Sequence, residues 1–291
     1  MSEITILDGG MGQELVRRHG AAPTPLWSTQ VMIDRPELVR DLHRDFFAAG
    51  AAIATTNTYA VLRDRLTGVG LEDRFEDLMS TALDMAEAAR AGFPGRLIAG
   101  AIGPLRASYR PDICPPASQA AQEYAPVVAA LKSRADLLII ETMSSLDQAD
   151  GALRAAVGQG VPVWLGVTVS DEDGSLLRSG EPLGDLAPLI ERHAPDAVLL
   201  NCSRPESISV GLPLISGFGL PFGAYANGFT QISDGFKTDR PTVDALEHRK
   251  DLGPAEYADF AETWAGMGAT LIGGCCEVGP DHIAELKRRF A

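Results

Sequence analysis

Three of the chain's four cysteines fall in two short stretches: Cys202 within Asn201-Cys202-Ser203, and the pair Cys275-Cys276 directly after Gly273-Gly274. Adjacent cysteines are awkward partners for a disulfide with each other, yet both thiols can turn toward one metal ion. Three thiolates with an open fourth position present zinc to a substrate instead of burying it. The fourth cysteine, Cys114, reads on its own as a small buried hydrophobe. The five histidines (His19, His43, His193, His248, His282) form no His-x-His or His-Glu-x-x-His pattern, and a histidine-ligated hydrolytic zinc is poorly supported.

For these cysteines to share an ion, the fold must bring residue 202 beside residues 275–276. Apolar or β-branched runs at 4–7, 52–55, 97–102, 137–140, 163–169, 197–200, 221–224 and 270–272 read as strands. Between them lie helix-like stretches at 36–49, 71–91, 118–133, 145–158, 183–193, 205–216, 254–266 and 280–290. Pro36, Pro205, Pro254 and Pro280 stand in first turns, where a missing N–H costs nothing. Leu137-Leu138-Ile139-Ile140 and Ala197-Val198-Leu199-Leu200 are continuously apolar, as parallel strands covered on both faces should be. The alternation predicts an α/β chain folded as one (β/α)₈ TIM barrel over residues 1–291. A doubly wound open sheet is the alternative. However, Asp8-Gly9-Gly10-Met11-Gly12 does not fit the Gly-x-Gly-x-x-Gly fingerprint that would favour it.

In a barrel of this kind the active site forms at the C-terminal strand ends. The unusual residues fall there in turn: Asp8-Gly9-Gly10 after the first strand, Thr56-Asn57-Thr58-Tyr59 after the second, and Glu141-Thr142 after the fourth. Cys202 follows the sixth, Tyr225 and Asn227 the seventh, and Cys275-Cys276 the eighth. Strands six and eight have one strand between them, so their ends stand about 10 Å apart. Side chains reaching inward from that distance can share one ion with Zn–S bonds of about 2.3 Å. Glu141 follows an apolar strand, so it needs a cationic partner or hydrogen bonds, and a structural salt bridge is the plain alternative. Asp8 reads equally well as a turn former or helix cap.

Composition narrows the function classes. A hydrophobic share of 45% and a charged share of 22% are those of a soluble globular protein. The net charge of −14 argues against nucleic-acid or membrane partners and is compatible with a cationic substrate, although solubility alone would explain it. Met1-Ser2-Glu3-Ile4 does not begin a secretory signal, and no run approaches the ~20 apolar residues of a membrane span. Few cysteines without an export signal fit a reducing, cytoplasmic setting.

Over nearly its whole length the chain resembles the homocysteine S-methyltransferases, the group holding betaine– and S-methylmethionine–homocysteine methyltransferases and the homocysteine module of cobalamin-dependent methionine synthase. The resemblance is carried by Asp8-Gly9-Gly10-Met11-Gly12-Gln13-Glu14-Leu15, Leu26-Trp27-Ser28, Pro36-Glu37-Leu38-Val39 with His43, and Thr55-Thr56-Asn57-Thr58-Tyr59. Ile102-Gly103-Pro104, Glu141-Thr142, Asn201-Cys202-Ser203 and Gly273-Gly274-Cys275-Cys276 complete it, the last two being the specific signals. The resemblance implies that Cys202, Cys275 and Cys276 hold catalytic Zn²⁺ and that the homocysteine thiol enters the fourth position. It also implies that Asp8, Gly9 and Glu141 help to hold the amino acid's charged ends, with Thr56, Trp27, Tyr225 and Asn227 around the substrates.

The implied reaction gives methionine from homocysteine and a cationic methyl donor, whose charge aromatic faces such as Trp27 or Tyr225 could cradle. Trp27-Ser28 is more similar to the S-methylmethionine type than to the betaine type, which carries an aromatic residue where this chain has Thr142. Tyr225-Ala226-Asn227 stands where the family usually has Tyr-Pro-Asn. Leu105-Arg106-Ala107 and Glu277 also depart from its pattern, at positions expected on the rim of the donor pocket. The donor therefore stays open among S-methylmethionine, S-adenosylmethionine, betaine and related sulfoniums. Methylation of another thiol or selenol, or a structural or thiol-sensing zinc barrel closed by Cys114 or another residue, are the competing readings. Cobalamin modules are not expected, because the chain ends after its eighth helix, and a monomer or small homo-oligomer is expected.

Overall fold

The computed structural model describes residues 3–20, 24, 26–233, 235 and 246–290; the Met1-Ser2 end of the expected domain lies outside them. Eight strands form one parallel sheet: β1 (Thr5–Ile6), β2 (Ile53–Thr55), β3 (Leu97–Ile102), β4 (Leu137–Met143), β5 (Val163–Val167), β6 (Ala197–Asn201), β7 (Phe222–Ala226) and β8 (Leu271–Gly274). Their order is β1-β8-β7-β6-β5-β4-β3-β2. The ring closes between β1 and β2 by a thin seam, a single parallel bridge from Leu7 to Ile53 and an Ala52 N–H donated to the Ile6 carbonyl at 2.7 Å. The (β/α)₈ expectation holds.

The helices are α1 (Met11–His19), α2 (Ser28–Asp34), α3 (Pro36–Ala49), α4 (Arg63–Thr67), α5 (Phe75–Arg90), α6 (Ala117–Leu131), α7 (Leu146–Ala156), α8 (Ala187–His193), α9 (Pro205–Ser216), α10 (Pro254–Gly266) and α11 (Pro280–Phe290). All eight expected helices are present. The stretches at 71–91 and 183–193 open as tight 3₁₀ turns, Glu72–Arg74 and Leu183–Leu186, before becoming α-helical. The short α1, α2 and α4 go beyond the sequence expectation. α1 starts from Gly10 with no side-chain cap, and α2 starts from Trp27 at φ 50°, so neither carries the usual start signal. No described helix is long and apolar enough to cross a membrane.

Alternation along the strands separates two cores. Ala99, Ala101, Leu137, Ile139, Ala197, Leu199 and Leu271 fill the barrel interior. Their neighbours Ile102, Leu138, Ile140, Val198, Leu200 and Ile272 face outward and pack beneath the helices. Burial of each such Leu or Ile contributes roughly 1.5–3 kcal/mol, so the register of the pleat is firmly set. That register decides which residues stand at the mouth.

Candidate metal centre and substrate pocket

Side chains two residues beyond an inward apolar residue point up into the barrel mouth. Ile139 is thus followed by Glu141, Leu199 by Asn201, Ile53 by Thr55, and Leu271 by Gly273 and then Cys275. A cavity of about 810 Å³, counted with the open space at its rim, sits above this layer. Leu7 and Ile139 line it together with Asp8, Gly9, Trp27, Thr56, Glu141, Tyr225 and all three clustered cysteines.

On one wall the sulfurs meet. The Sγ atoms of Cys202, Cys275 and Cys276 all lie within 4.8 Å of one another, with Cys202 and Cys276 3.7 Å apart. Backbone bonds fix them: Cys202 N–H donates to the Tyr225 carbonyl at 3.1 Å, and Cys275 N–H to that of Ala226 at 2.8 Å. Cys202 is buried and sits at φ 47°, a left-handed conformation that costs a non-glycine residue energy and turns its thiol off the strand line. Gly10 is required opposite, since a Cβ there would come within 2.5 Å of the Cys275 carbonyl oxygen. The Cys275 and Cys276 thiols hold Cys202 well below the ordinary thiol range, helped by the Tyr109 hydroxyl, which donates to Cys202 Sγ at 3.0 Å. Bonding to Cys202 conversely pushes Cys275 and Cys276 up.

The opposite wall is made of oxygens. Asp8 accepts from Thr55 N–H at 2.6 Å and from Thr55 Oγ1 at 2.8 Å. It is neither a cap of α1, whose N-cap is Gly10, nor a simple turn former. Burial pushes its carboxyl up to about 7 despite those two bonds. Burial, and then the nearby Asp8, push Glu141 up to about 8. Tyr225 stands close enough to ease that shift, although its hydroxyl makes no hydrogen bond of ordinary geometry. No ion pair to Glu141 is present among the described residues, so the salt-bridge alternative finds no partner. A cation inside the cavity would supply one.

Glu141 was expected just beyond β4 but lies within it, where the register against β5 shifts between Ile140 and Met143. Thr142, at φ 62°, makes the irregularity. Its N–H donates to Asn201 Oδ1 and its hydroxyl accepts from Asn201 Nδ2, both at 2.9 Å. Asn201 thereby braces the kink that aims Glu141.

Of the residues singled out in the sequence, Asn227 does not line the cavity. It is fully buried, its N–H bound to the Ser203 carbonyl at 3.0 Å. Leu105, Arg106, Ala226 and Glu277, expected on the rim, are likewise not among the lining residues. Arg106 is instead tied to Asp64 and Glu123, and Glu277 lies 3.1 Å from His248. Cys114 is separate from the cluster; its thiol donates to the Pro115 carbonyl at 3.3 Å. Sequence reasoning gave no role to Gln13, quoted only within the motif at 8–15, or to Tyr109, both on the cavity wall. Both Gln13 amide atoms are buried without a hydrogen bond of ordinary geometry, and the amide lies close enough to Cys276 to favour its thiolate. An uncharged residue in a first helical turn gives little sequence signal of this kind.

The donor set fits a metal ion. Three unpaired cysteines converge without a disulfide at the edge of a cavity able to admit a further ligand. The profile of the homocysteine S-methyltransferase family matches residues 5–290. The chain is 30% identical to the homocysteine S-methyltransferase of Escherichia coli K12, over 99% of this chain and 95% of that one. It is 29% identical to homocysteine S-methyltransferase YbgG of Bacillus subtilis 168, over 97% and 93%. The metallated form of the homocysteine methyltransferase MmuM from E. coli superposes with a TM-score of 0.82 at 28% identity, covering 99% of this chain and 96% of that one. The chain belongs to the homocysteine S-methyltransferase family.

Proposed function

We propose that this methyltransferase binds Zn²⁺ through Cys202, Cys275 and Cys276 and moves a methyl group from a sulfonium donor, S-methylmethionine or S-adenosylmethionine, to homocysteine, giving methionine. The observation that carries the reading is the pairing of a three-sulfur cluster with two buried carboxyls across one cavity. When bound, zinc supplies a Lewis acid that lowers the pKa of an incoming thiol.

The chain's own residues do the rest. Glu141 and Asp8, uncomfortable as anions in a buried site, gain a counter-charge from the substrate's ammonium group, while Gly9 and Thr56 flank its carboxylate. Trp27 and Tyr225 offer ring faces to the donor cation, worth roughly 0.5–2 kcal/mol each. The homocysteine sulfur attacks the methyl carbon as the donor's own S–CH₃ bond breaks. The electron pair of that bond stays on the donor sulfur, which leaves as a neutral thioether. Positive charge is thus lost inside a negatively lined pocket, and the thiol proton passes to solvent. Holding both reactants in line supplies up to roughly 7–11 kcal/mol of barrier reduction.

Four unpaired cysteines agree with a cytoplasmic setting. The reading also takes residues 1–291 as one homocysteine-binding domain, acting as a monomer or small homo-oligomer. The test incubates metal-loaded protein with homocysteine and each donor in turn, following methionine by mass spectrometry. Methionine from a sulfonium but not from betaine supports the proposal. No product from any donor defeats it.

A further inference from the structure

Beside the sulfur cluster lies a group of residues for which methyl transfer as described has no use. Tyr109, in the loop after β3, is buried and held at φ 59°. Its hydroxyl donates to Cys202 Sγ at 3.0 Å. The Arg178 guanidinium lies over its ring, 4.7 Å from the centroid. Arg178 is nearly enclosed and forks onto Asp171 at 2.8 and 3.1 Å. It also donates to Thr168 Oγ1 at 2.8 Å and to the Cys202 carbonyl at 3.4 Å. One guanidinium therefore holds both the backbone of Cys202 and the ring that serves its sulfur. Among the described residues no hydroxyl donates to Cys275 or Cys276, and the Gln13 amide near Cys276 makes no hydrogen bond of ordinary geometry, so Cys202 alone has a well-formed donor.

An O–H donated to a thiolate draws electron density away from it and fixes the direction of its lone pairs. We propose that Tyr109, clamped by Arg178, is a positioning residue of the metal centre: its hydroxyl orients Cys202 and limits the charge this sulfur gives to a bound ion. Cys275 and Cys276 then carry more of the donation, and the three-thiolate site keeps enough acidity to capture a substrate thiol. The inference rests on the metal reading of the site.

The test uses the full chain loaded with Co²⁺, whose sulfur-to-metal charge-transfer absorption reports thiolate donor strength. Tyr109→Phe keeps the ring beneath Arg178 and removes only the hydroxyl. The charge-transfer band should move to longer wavelength, and competition with a chelator should show Zn²⁺ held about tenfold more weakly. Arg178→Lys, which keeps the charge but loses the flat stack and the fork, should move both readouts the same way by less. Circular dichroism checks that both variants fold. A Tyr109→Phe protein with the parent's band and affinity overturns the inference, as does one that only melts earlier. A parent protein with no sulfur-to-cobalt band removes the metal centre itself, and the inference with it.

Discussion

The two walls of the cavity solve opposite problems. The sulfur wall, on β6 and β8, gathers soft donors through strained backbone: Cys202 and its partner Tyr109 both have positive φ. The oxygen wall, on β1, β2 and β4, keeps two carboxyls in a buried place where each resists ionising. One wall is short of a cation for its sulfurs and the other is short of a cation for its carboxyls. The contrast suggests a division of labour in which the metal answers the first need and the substrate ammonium the second. A ligand carrying a thiol at one end and an amine at the other spans both.

The most damaging way to break the comparison is Cys276→Ala. It should abolish stoichiometric metal, measured by elemental analysis, and reduce methyl transfer to background while the barrel stays folded. A variant that keeps normal turnover would show that the sulfur wall has been misread. Glu141→Ala should spare metal content and act on homocysteine binding instead. Loss of a hydrogen bond to a charged group, about 1.5–3 kcal/mol, predicts a KM for homocysteine raised roughly 10- to 150-fold with kcat changed far less. An unchanged KM would remove Glu141 from that contact.

A third test sharpens the oxygen wall through pH. Asp8 and Glu141 titrate near 7 and 8 when folded, against 3.8 and 4.5 as ordinary carboxyls. The folded state therefore holds extra protons between about pH 4 and 8. Both groups favour folding below that window, and the advantage fades as pH rises through it. Melting temperature of the metal-free protein should fall across the window, less steeply in Asp8→Asn and Glu141→Gln. A parallel slope in wild type and both variants would contradict the assignment. The smallest effect belongs to Trp27→Ala, which should raise the KM of the sulfonium donor about 2- to 30-fold, as a loss of roughly 0.5–2 kcal/mol of cation–π attraction implies. Homocysteine KM should hardly move.

The barrel was legible because its strands announce themselves. Residues 137–140 and 197–200 are apolar on both faces, and proline opens several helices. The cysteine cluster was legible because strand ends in a closed barrel have fixed neighbours. The bracing of each wall was not. Asn201 reaches Thr142 across 59 positions of sequence, and Tyr109 reaches Cys202 across 93. The first contact depends on a register shift inside β4 and the second on how the loop after β3 folds back over the mouth, and neither periodicity nor spacing encodes these. Asn227 follows a strand end as expected, yet it is fully buried and its backbone binds the Ser203 carbonyl beside the cavity lining.

The seam of the barrel carries a last implication. Where β1 meets β2 the ladder is almost absent, and the Asp8 carboxylate, clasping the Thr55 backbone and hydroxyl, does part of a missing strand's work. The same carboxylate lines the cavity. Any exchange of residue 8 that retunes recognition therefore loosens the hoop as well, and a family member seeking a new acceptor has freer ground on the cysteine side of the mouth.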